Sequence, residues 1–255
     1  MVQYIVKNRV AHITLNRPDK RNALNAELVV ALQAAFEQAR TDKDAKVIVL
    51  AAKGKVFSAG ADLDYLKTLQ NNTYEENLAD SRQLMTLFHT IYTHPKIVIA
   101  QVEGAAIAGG CGLATVCDFV FATPDTQFGY TEVRIGFIPA IVLVFLLRKI
   151  GEGRAKELLL SGKLIDSTNA LSMGLINFIE TTEDIAEKVS DFAQKMCEQA
   201  SAESLQLTKT MIGQVQNMSL TDALNYAATQ NANARATQDC KAGINAFLNK
   251  EKIVW

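Results

Sequence analysis

The stretch VEGAAIAGGCGLATVCDF, from Val102 to Phe119, carries four glycines within nine positions. The apolar segment KIVIAQVEG leads into it and CDFVFA closes it, and both segments predict buried strands. A helix-like run begins around Gly112, where glycine costs roughly 1 kcal/mol relative to alanine. Free N–H groups at a helix start bind a developing oxyanion, whereas a close helix–strand crossing also requires small residues. This stretch alone leaves both interpretations open.

The glycine spacing excludes two phosphate-binding loops. The pattern G-x-x-x-x-G-K-[ST] is absent, and G-x-G-x-x-G/A fails because Thr115 follows Gly110 and Gly112 at the third glycine position. A second small-residue loop, GKVFSAGAD over residues 54–62, also follows a buried strand, KVIVLAAKG. Since ligands of open α/β sheets bind outside the carboxyl ends of strands, we expect the two loops to donate one N–H each to the same oxygen.

Composition narrows the class of protein. The chain has 255 residues, of which 49% are hydrophobic and 21% are charged, and this balance is typical of a globular protein with a sizeable core. The net charge of −1 predicts no general attraction to nucleic acid or to an anionic membrane. The four cysteines form no C-x-x-C pair, and no signal peptide or membrane span is evident, so a cytoplasmic protein with reduced thiols is expected.

Strand and helix patterns alternate along the first half of the chain, which predicts a layered α/β core with parallel strands. Asn25 is placed to cap a helix with an apolar face. From about residue 140 the pattern is mostly helical, and no linker rich in proline or glycine separates two domains. We therefore expect one continuous unit that ends in a helical extension.

The segment FGYTEVRIGFIPA offers a candidate for acid–base chemistry. Glu132 lies there among apolar residues, so desolvation would raise the pKa of its carboxyl and make it a competent acid or base near neutral pH. A glutamate at a helix start that faces solvent is the alternative. No G-x-S-x-G elbow occurs, and His12, His89 and His94 are scattered without metal-ligand spacing, so neither a hydrolase serine nor a metal site is expected.

These motifs resemble the crotonase (enoyl-CoA hydratase/isomerase) superfamily. VAHITLNRPDKRNALN, VFSAGADL, the glycine stretch, FGYTEVRIGFIPA and LLLSGKLIDSTNALSMGLIN occur in the order typical of that family, over nearly the whole chain. The resemblance implies a ββα spiral core over residues 1–195 and a C-terminal helical oligomerisation region over residues 196–255. It further implies a homotrimer or hexamer and an acyl-CoA or acyl-carrier-protein thioester as substrate. No separate cofactor is implied, because CoA is part of the substrate.

The resemblance also assigns site residues. It implies that the N–H groups of Ala61 and Gly109 bind the thioester oxygen and that Glu132 is the acid or base. Lys20 and Arg21 would face the CoA phosphates, although a solvated loop is the alternative for either side chain. The other implied substrate contacts are Ala23, Leu24, Ala59, Gly60, Asp62, Gly110 and Gly112.

Gly112 departs from the family pattern, since typical hydratases carry a first catalytic glutamate there. Gly112, together with TEVRIGFIPA at residues 131–140, resembles hydratases that interconvert 3-methylglutaconyl-CoA and 3-hydroxy-3-methylglutaryl-CoA. The same combination resembles dehydratases of hydroxymethylglutaryl groups on carrier proteins. A substrate with its own carboxylate would be repelled by a second buried carboxylate. We therefore expect glycine to remove that charge and open space, and the chain to be a lyase for a branched acyl thioester.

Two other functions remain open on the sequence. A Δ3,Δ2-enoyl-CoA isomerase also works with one carboxylate at the position of Glu132. A non-catalytic protein that binds acyl-CoA or RNA is the third candidate. The near-neutral charge and the lack of a helix rich in lysine and arginine argue against RNA, and the retention of Glu132 with both loops argues against lost catalysis.

Overall fold

Two β-sheets form the centre of the computed structural model, which describes all 255 residues. The larger sheet has the order β1-β2-β3-β5-β7-β10 and the smaller has the order β4-β6-β8-β9. The strands are β1 (Val2–Lys7), β2 (Val10–Leu15), β3 (Val47–Ala52), β4 (Val56–Ser58), β5 (Ile97–Val102), β6 (Ala105–Ile107), β7 (Phe119–Ala122), β8 (Gln127–Gly129), β9 (Leu164–Asp166) and β10 (Phe178–Ile179).

Ten α-helices surround these sheets. They are α1 (Ala26–Thr41), α2 (Leu63–Leu69), α3 (Tyr74–Tyr92), α4 (Gly109–Thr115), α5 (Ala140–Ser161), α6 (Ser167–Met173), α7 (Ile185–Gln199), α8 (Ala202–Val215), α9 (Leu220–Ala236) and α10 (Gln238–Asn249). Two 3₁₀-helices, Pro18–Lys20 and Glu132–Ile135, lie in the loops before α1 and α5. None of the helices is both long enough and apolar enough to cross a membrane.

The chain repeats one unit as it winds around the core. A strand of the larger sheet is followed by a short strand of the smaller sheet and then by a helix: β3, β4 and α2, then β5, β6 and α4, then β7, β8 and the helices that follow. All strand pairs are parallel except β1 with β2 and β8 with β9. This is the α/β architecture that the alternating pattern predicts and the ββα spiral that the resemblance implies.

Both faces of the larger sheet are buried, which explains why its strands read as continuous apolar runs. Successive side chains of a strand point to opposite faces. Ile48 and Leu50 therefore join the main core, which includes the apolar face of α1, whereas Val47 and Val49 pack under α7 in a second, smaller core. As predicted, Asn25 caps α1 by accepting a hydrogen bond from the amide of Leu28.

The division expected between residues 195 and 196 falls inside α7. This helix runs unbroken to Gln199, and its buried Cys197 still packs on the sheet. The change from core to extension lies at Ala200, where the backbone becomes extended before α8 begins. Lys209 of α8 fastens the extension to the core through a 2.6 Å ion pair with Asp118.

Helices α8 and α9 contain no buried residue, although they carry apolar side chains. The exposed apolar residues of the C-terminal helices are Ile212, Leu220, Leu224, Ile244, Phe247 and Leu248. We propose that these helices form the interface of a trimer or hexamer, as the resemblance implies, because copies of the chain would remove this apolar surface from water. Sedimentation equilibrium is expected to give a multiple of 27.9 kDa, and a mass of one chain would contradict the proposal.

Candidate active site

The two small-residue loops meet through their backbones. A Cβ atom built on Gly60 would lie 2.9 Å from both the carbonyl oxygen of Ile107 and the Cβ of Ala108, and 3.6 Å from the amide nitrogen of Gly109. A Cβ on Gly110 would lie 2.3 Å from the carbonyl oxygen of Ser58. Gly60 also has a φ of +87°. The glycines are therefore required for close approach, and the loop after β4 touches the first turn of α4 as predicted.

Each loop presents an amide without a partner in the protein. Leu24 donates to the carbonyl of Gly60 at 2.7 Å and accepts from the amide of Asp62 at 2.8 Å, so the intervening N–H of Ala61 points away from Leu24 and makes no hydrogen bond in the chain. Gly109 is the first residue of α4, where N–H groups have no acceptor within the helix. Both amides are thus available to an oxygen atom of a ligand.

The residue before Gly109 stores backbone strain. Ala108 has φ 51° and ψ −124°, which residues with a Cβ rarely adopt. Its amide is held by the carbonyl of Gly129 on β8 at 2.7 Å. Strained backbone of this kind costs on the order of 1–3 kcal/mol and concentrates at functional sites. The strain sets the direction in which the chain enters α4.

Glu132 begins the 3₁₀-helix that follows β8, and its side chain is half-buried. Its Oε2 atom is shielded from solvent and has no hydrogen-bond partner. Burial raises the pKa of the carboxyl above its ordinary value, against a smaller opposite effect of its own backbone amide. The same carboxyl contributes to the raised pKa of Cys111 on α4, so it lies close to that helix. The alternative of a solvated glutamate is therefore wrong.

The loop over residues 17–24 is held by polar contacts rather than left free. Lys20 pairs with Asp64 at 2.9 Å on the surface, and the exposed Arg21 makes no side-chain hydrogen bond. Ala23 and Leu24 are buried. Asn22 is also buried, and its amide donates to the carbonyls of Lys53 and Val56 at 2.9 Å each.

The Asp62 side chain has a structural role in the loop over residues 54–62, which presents the Ala61 amide. Its carboxylate forms a 2.6 Å ion pair with Arg17 and caps α2 by accepting from the amide of Asp64 at 2.8 Å. Burial opposes ionisation of Asp62, but the hydrogen bonds from Arg17 and from the α2 amides outweigh it and lower the pKa. The carboxylate therefore stays charged and holds the loop that presents Ala61. Ala59 joins the same network, since its amide donates to the carbonyl of Arg21 at 3.0 Å.

The expectation that Gly112 opens space is wrong. A Cβ at this position would lie 2.4 Å from Cγ1 of Val142 and 2.9 Å from Cε2 of Phe88. Both side chains belong to the main core. The volume that a side chain at residue 112 would take is filled from α5 and α3, so Gly112 removes the charge of a second glutamate without leaving a vacancy.

Several contributors to the site escape sequence reasoning. Phe88 and Val142 reach it from distant segments, and no local pattern marks them. Arg17 and Thr115 lie within the quoted motifs, but the motifs do not show their contacts. Tyr130 lies in the motif that contains Glu132, and its fully buried side chain could have been suspected from its apolar flanks. No group of three His, Cys, Asp or Glu side chains is arranged to hold a metal ion.

Comparison with known proteins identifies the family. The sequence model described as enoyl-CoA hydratase/isomerase matches residues 6–255. The chain belongs to the enoyl-CoA hydratase/isomerase family. It is 42% identical over 250 residues to a Thermus thermophilus protein named "Putative enoyl-CoA hydratase", with 98% of each chain covered. It is 34% identical over 249 residues to the 2,3-dehydroadipyl-CoA hydratase of Escherichia coli, with 96% of this chain and 94% of that protein covered.

A solved structure gives the same result for the fold. The crystal structure of an enoyl-CoA hydratase from Shewanella pealeana superimposes with a TM-score of 0.95 at 27% identity, covering 100% of this chain and 95% of the other. The crotonase spiral expected from the motifs is thereby confirmed. As a member of the enoyl-CoA hydratase/isomerase family, the chain is an enzyme. The roles of Ala61, Gly109 and Glu132 stay those that the resemblance implies.

Gly112→Ala is expected to destabilise the fold by roughly 1–3 kcal/mol, because the new methyl group overpacks the core against Val142 and Phe88. Adding Val142→Ala should relieve the clash, so the double variant loses less stability than the sum of the single variants. Gly213→Ala on α8 is the matched control, since its Cβ lies 3.9 Å from the nearest atom. Urea unfolding of the native protein and of the four variants, including Val142→Ala alone, measures these effects. Equal effects at residues 112 and 213 would contradict the packing described.

Gly109→Pro is expected to lower kcat roughly 100–1,000-fold, because proline deletes one oxyanion donor at a position where a helix tolerates its ring. Gly109→Ala is the matched control, since its Cβ lies 3.0 Å from the flexible Cδ1 of Leu24 and the N–H is kept. Steady-state kinetics of both variants with an enoyl-CoA decides the point. The assignment fails if the two variants, both folded, turn over equally fast.

Proposed function

We propose that the chain is a hydratase/dehydratase that adds water to, or removes it from, the double bond of an enoyl-CoA. The observation that supports the proposal is the contact between two loops with partnerless amides, on Ala61 and Gly109, beside a half-buried Glu132 whose carboxyl acts on the pKa of Cys111 in the same helix α4. Asp62 lies in the loop that presents Ala61, but its carboxylate is held in an ion pair with Arg17. Glu132 is therefore the carboxyl left to move a proton.

A single carboxyl is sufficient for hydration. The amides of Ala61 and Gly109 bind the thioester oxygen and stabilise the negative charge that collects there. The Glu132 carboxylate takes a proton from water as the water oxygen bonds to C3 of the enoyl group, and the electrons of the double bond form an enolate. The protonated Glu132 then returns the proton to C2. Dehydration runs through the same steps in reverse, with no net change in the protein.

The substrate we propose is a branched acyl-CoA that carries its own carboxylate, of the 3-methylglutaconyl type. The surroundings of Gly112 are uncharged, because the apolar side chains of Phe88 and Val142 pack there. A second carboxylate there would repel a carboxylated acyl group by several kcal/mol at close range in a dry site. The relative from Escherichia coli is named for dehydroadipyl-CoA, whose acyl group also ends in a carboxylate. This relative supports the class of substrate rather than the branch.

A panel of substrates tests the proposal. Crotonyl-CoA, 2,3-dehydroadipyl-CoA, 3-methylglutaconyl-CoA and a 3-enoyl-CoA are each incubated with the protein, and loss of enoyl absorbance and gain of 18 Da are followed. Addition of water, with the highest kcat/KM for 3-methylglutaconyl-CoA, is the expected result. Conversion of the 3-enoyl-CoA without a mass change, and no hydration, would establish the Δ3,Δ2-isomerase instead. Binding without turnover of any member would establish a non-catalytic protein.

Glu132→Gln is expected to lower kcat at least about a hundredfold while CoA binding persists, which is the usual scale for a lost acid–base group. In the native enzyme hydration requires the carboxylate, so its rate should rise as pH passes upward through the raised pKa of Glu132. Dehydration begins with removal of the C2 proton by the same carboxylate, so its rate should rise over the same range. The pH dependence of both rates should be absent in Glu132→Gln. A variant with native turnover would remove Glu132 from the mechanism.

A further inference from the structure

The hydroxyl of Tyr130 makes a buried hydrogen bond that the chemistry above does not use. Its Oη lies 2.6 Å from Oγ1 of Thr115, and both side chains are buried. The Thr115 hydroxyl also lies 2.9 Å from the carbonyl oxygen of Cys111, which can only accept. Thr115 therefore links the Tyr130 hydroxyl to a backbone carbonyl of α4.

This bond completes a double attachment between β8 and α4. The carbonyl of Gly129 accepts from the amide of Ala108 at 2.7 Å, immediately before α4 begins. The next residue, Tyr130, binds Thr115, the last residue of α4. Gly129 and Tyr130 are thus hydrogen-bonded to the two ends of α4. The first turn of that helix presents the amide of Gly109.

Glu132 follows this attachment by two residues, and its carbonyl accepts a 3.1 Å hydrogen bond from the amide of Phe137. No side-chain hydrogen bond or ion pair fixes its carboxyl, and Oε2 is without a partner. The other residues of its 3₁₀-helix, from Val133 to Ile135, are exposed. The placement of the carboxyl therefore depends on the backbone that enters the 3₁₀-helix, and the last anchored side chain of that backbone is Tyr130.

We propose that Tyr130 is a positioning residue, whose hydrogen bond to Thr115 sets the Glu132 carboxyl at a fixed distance from the oxyanion amides. One helix, α4, then serves as the common reference for both halves of the site. This inference rests on the proposed function, because it assigns Tyr130 a role in the same proton transfer. Tyr130 itself touches neither substrate nor the transferred proton.

Tyr130→Phe tests the inference by removing one oxygen atom. Misplacement of a catalytic group by about 1 Å can cost up to about a hundredfold, so kcat should fall about tenfold or more while KM stays near its native value. Thr115→Val should lower kcat to the same extent, whereas Thr115→Ser, which keeps the hydroxyl, should retain activity. The double variant Tyr130→Phe/Thr115→Val should have a kcat no lower than that of either single variant. Thr115→Val also tests the bond if Tyr130→Phe fails to fold.

Thr123→Val is the matched control for loss of a buried hydroxyl. Thr123 and Thr126 form a buried hydroxyl pair at 3.0 Å that has no connection to Glu132. A purely structural role for Tyr130 predicts that Tyr130→Phe and Thr123→Val lower the thermal midpoint to a similar extent. It also predicts that both variants keep the native kcat. That outcome would overturn the inference.

A measurement without turnover separates this inference from the proposed function. The pKa of Glu132 is read by ¹³C NMR titration of protein labelled at the glutamate carboxyl carbon, with Glu132→Gln assigning the signal. If Tyr130 positions the carboxyl, Tyr130→Phe lets it reach water and lowers the raised pKa by about half a unit or more. An unchanged pKa overturns the inference. A native protein inactive on every enoyl-CoA overturns the proposed function, and the titration still decides the role of Tyr130.

Discussion

Contact between two backbones, with no side chain between them, is the constraint on which the site depends. The loop after β4 meets the start of α4 through Gly60 and Gly110, where a Cβ would lie within 3 Å of backbone oxygen. This approach brings the Ala61 amide and the Gly109 amide to one place. The ββα spiral supplies the frame, because β4 and β6 are neighbours in the smaller sheet and their loops leave it side by side. A side chain at either glycine would separate the two donors.

The site gathers groups that folding normally avoids. Two amides lack acceptors, Ala108 is strained and Glu132 has a buried oxygen without a partner. The strained backbone of Ala108 and the buried Glu132 oxygen each cost on the order of 1–3 kcal/mol, whereas Ala61 is exposed and Gly109 partly exposed. A main core of 41 buried residues, which includes the interior of α4, can bear that cost. Satisfied groups surround the unsatisfied ones, as the Arg17–Asp62 ion pair beside Ala61 illustrates. The partnerless amides and the Glu132 carboxyl are therefore available to a ligand.

Sequence reasoning succeeded where the physical cause is local. The apolar runs of β3 and β5 and the Asn25 cap each reflect a requirement of neighbouring residues, and these were predicted correctly. It failed at Gly112, because the side chains that occupy the adjoining volume come from residues 88 and 142. Pattern and period do not show which distant side chains meet. The Thr115–Tyr130 bond escaped for the same reason, since its partners are fifteen positions apart.

The packing around Gly112 also bears on how such enzymes diverge. Phe88 on α3 and Val142 on α5 both press on the same point of α4. Gain of a glutamate at residue 112 by one substitution would create a clash and bury a charge at once. Trimming Val142 or Phe88 first would leave a cavity that costs roughly 2–5 kcal/mol. Every single-step route to a two-carboxylate site therefore passes through a less stable protein. The filled space therefore opposes the gain of a glutamate at residue 112 by a single substitution.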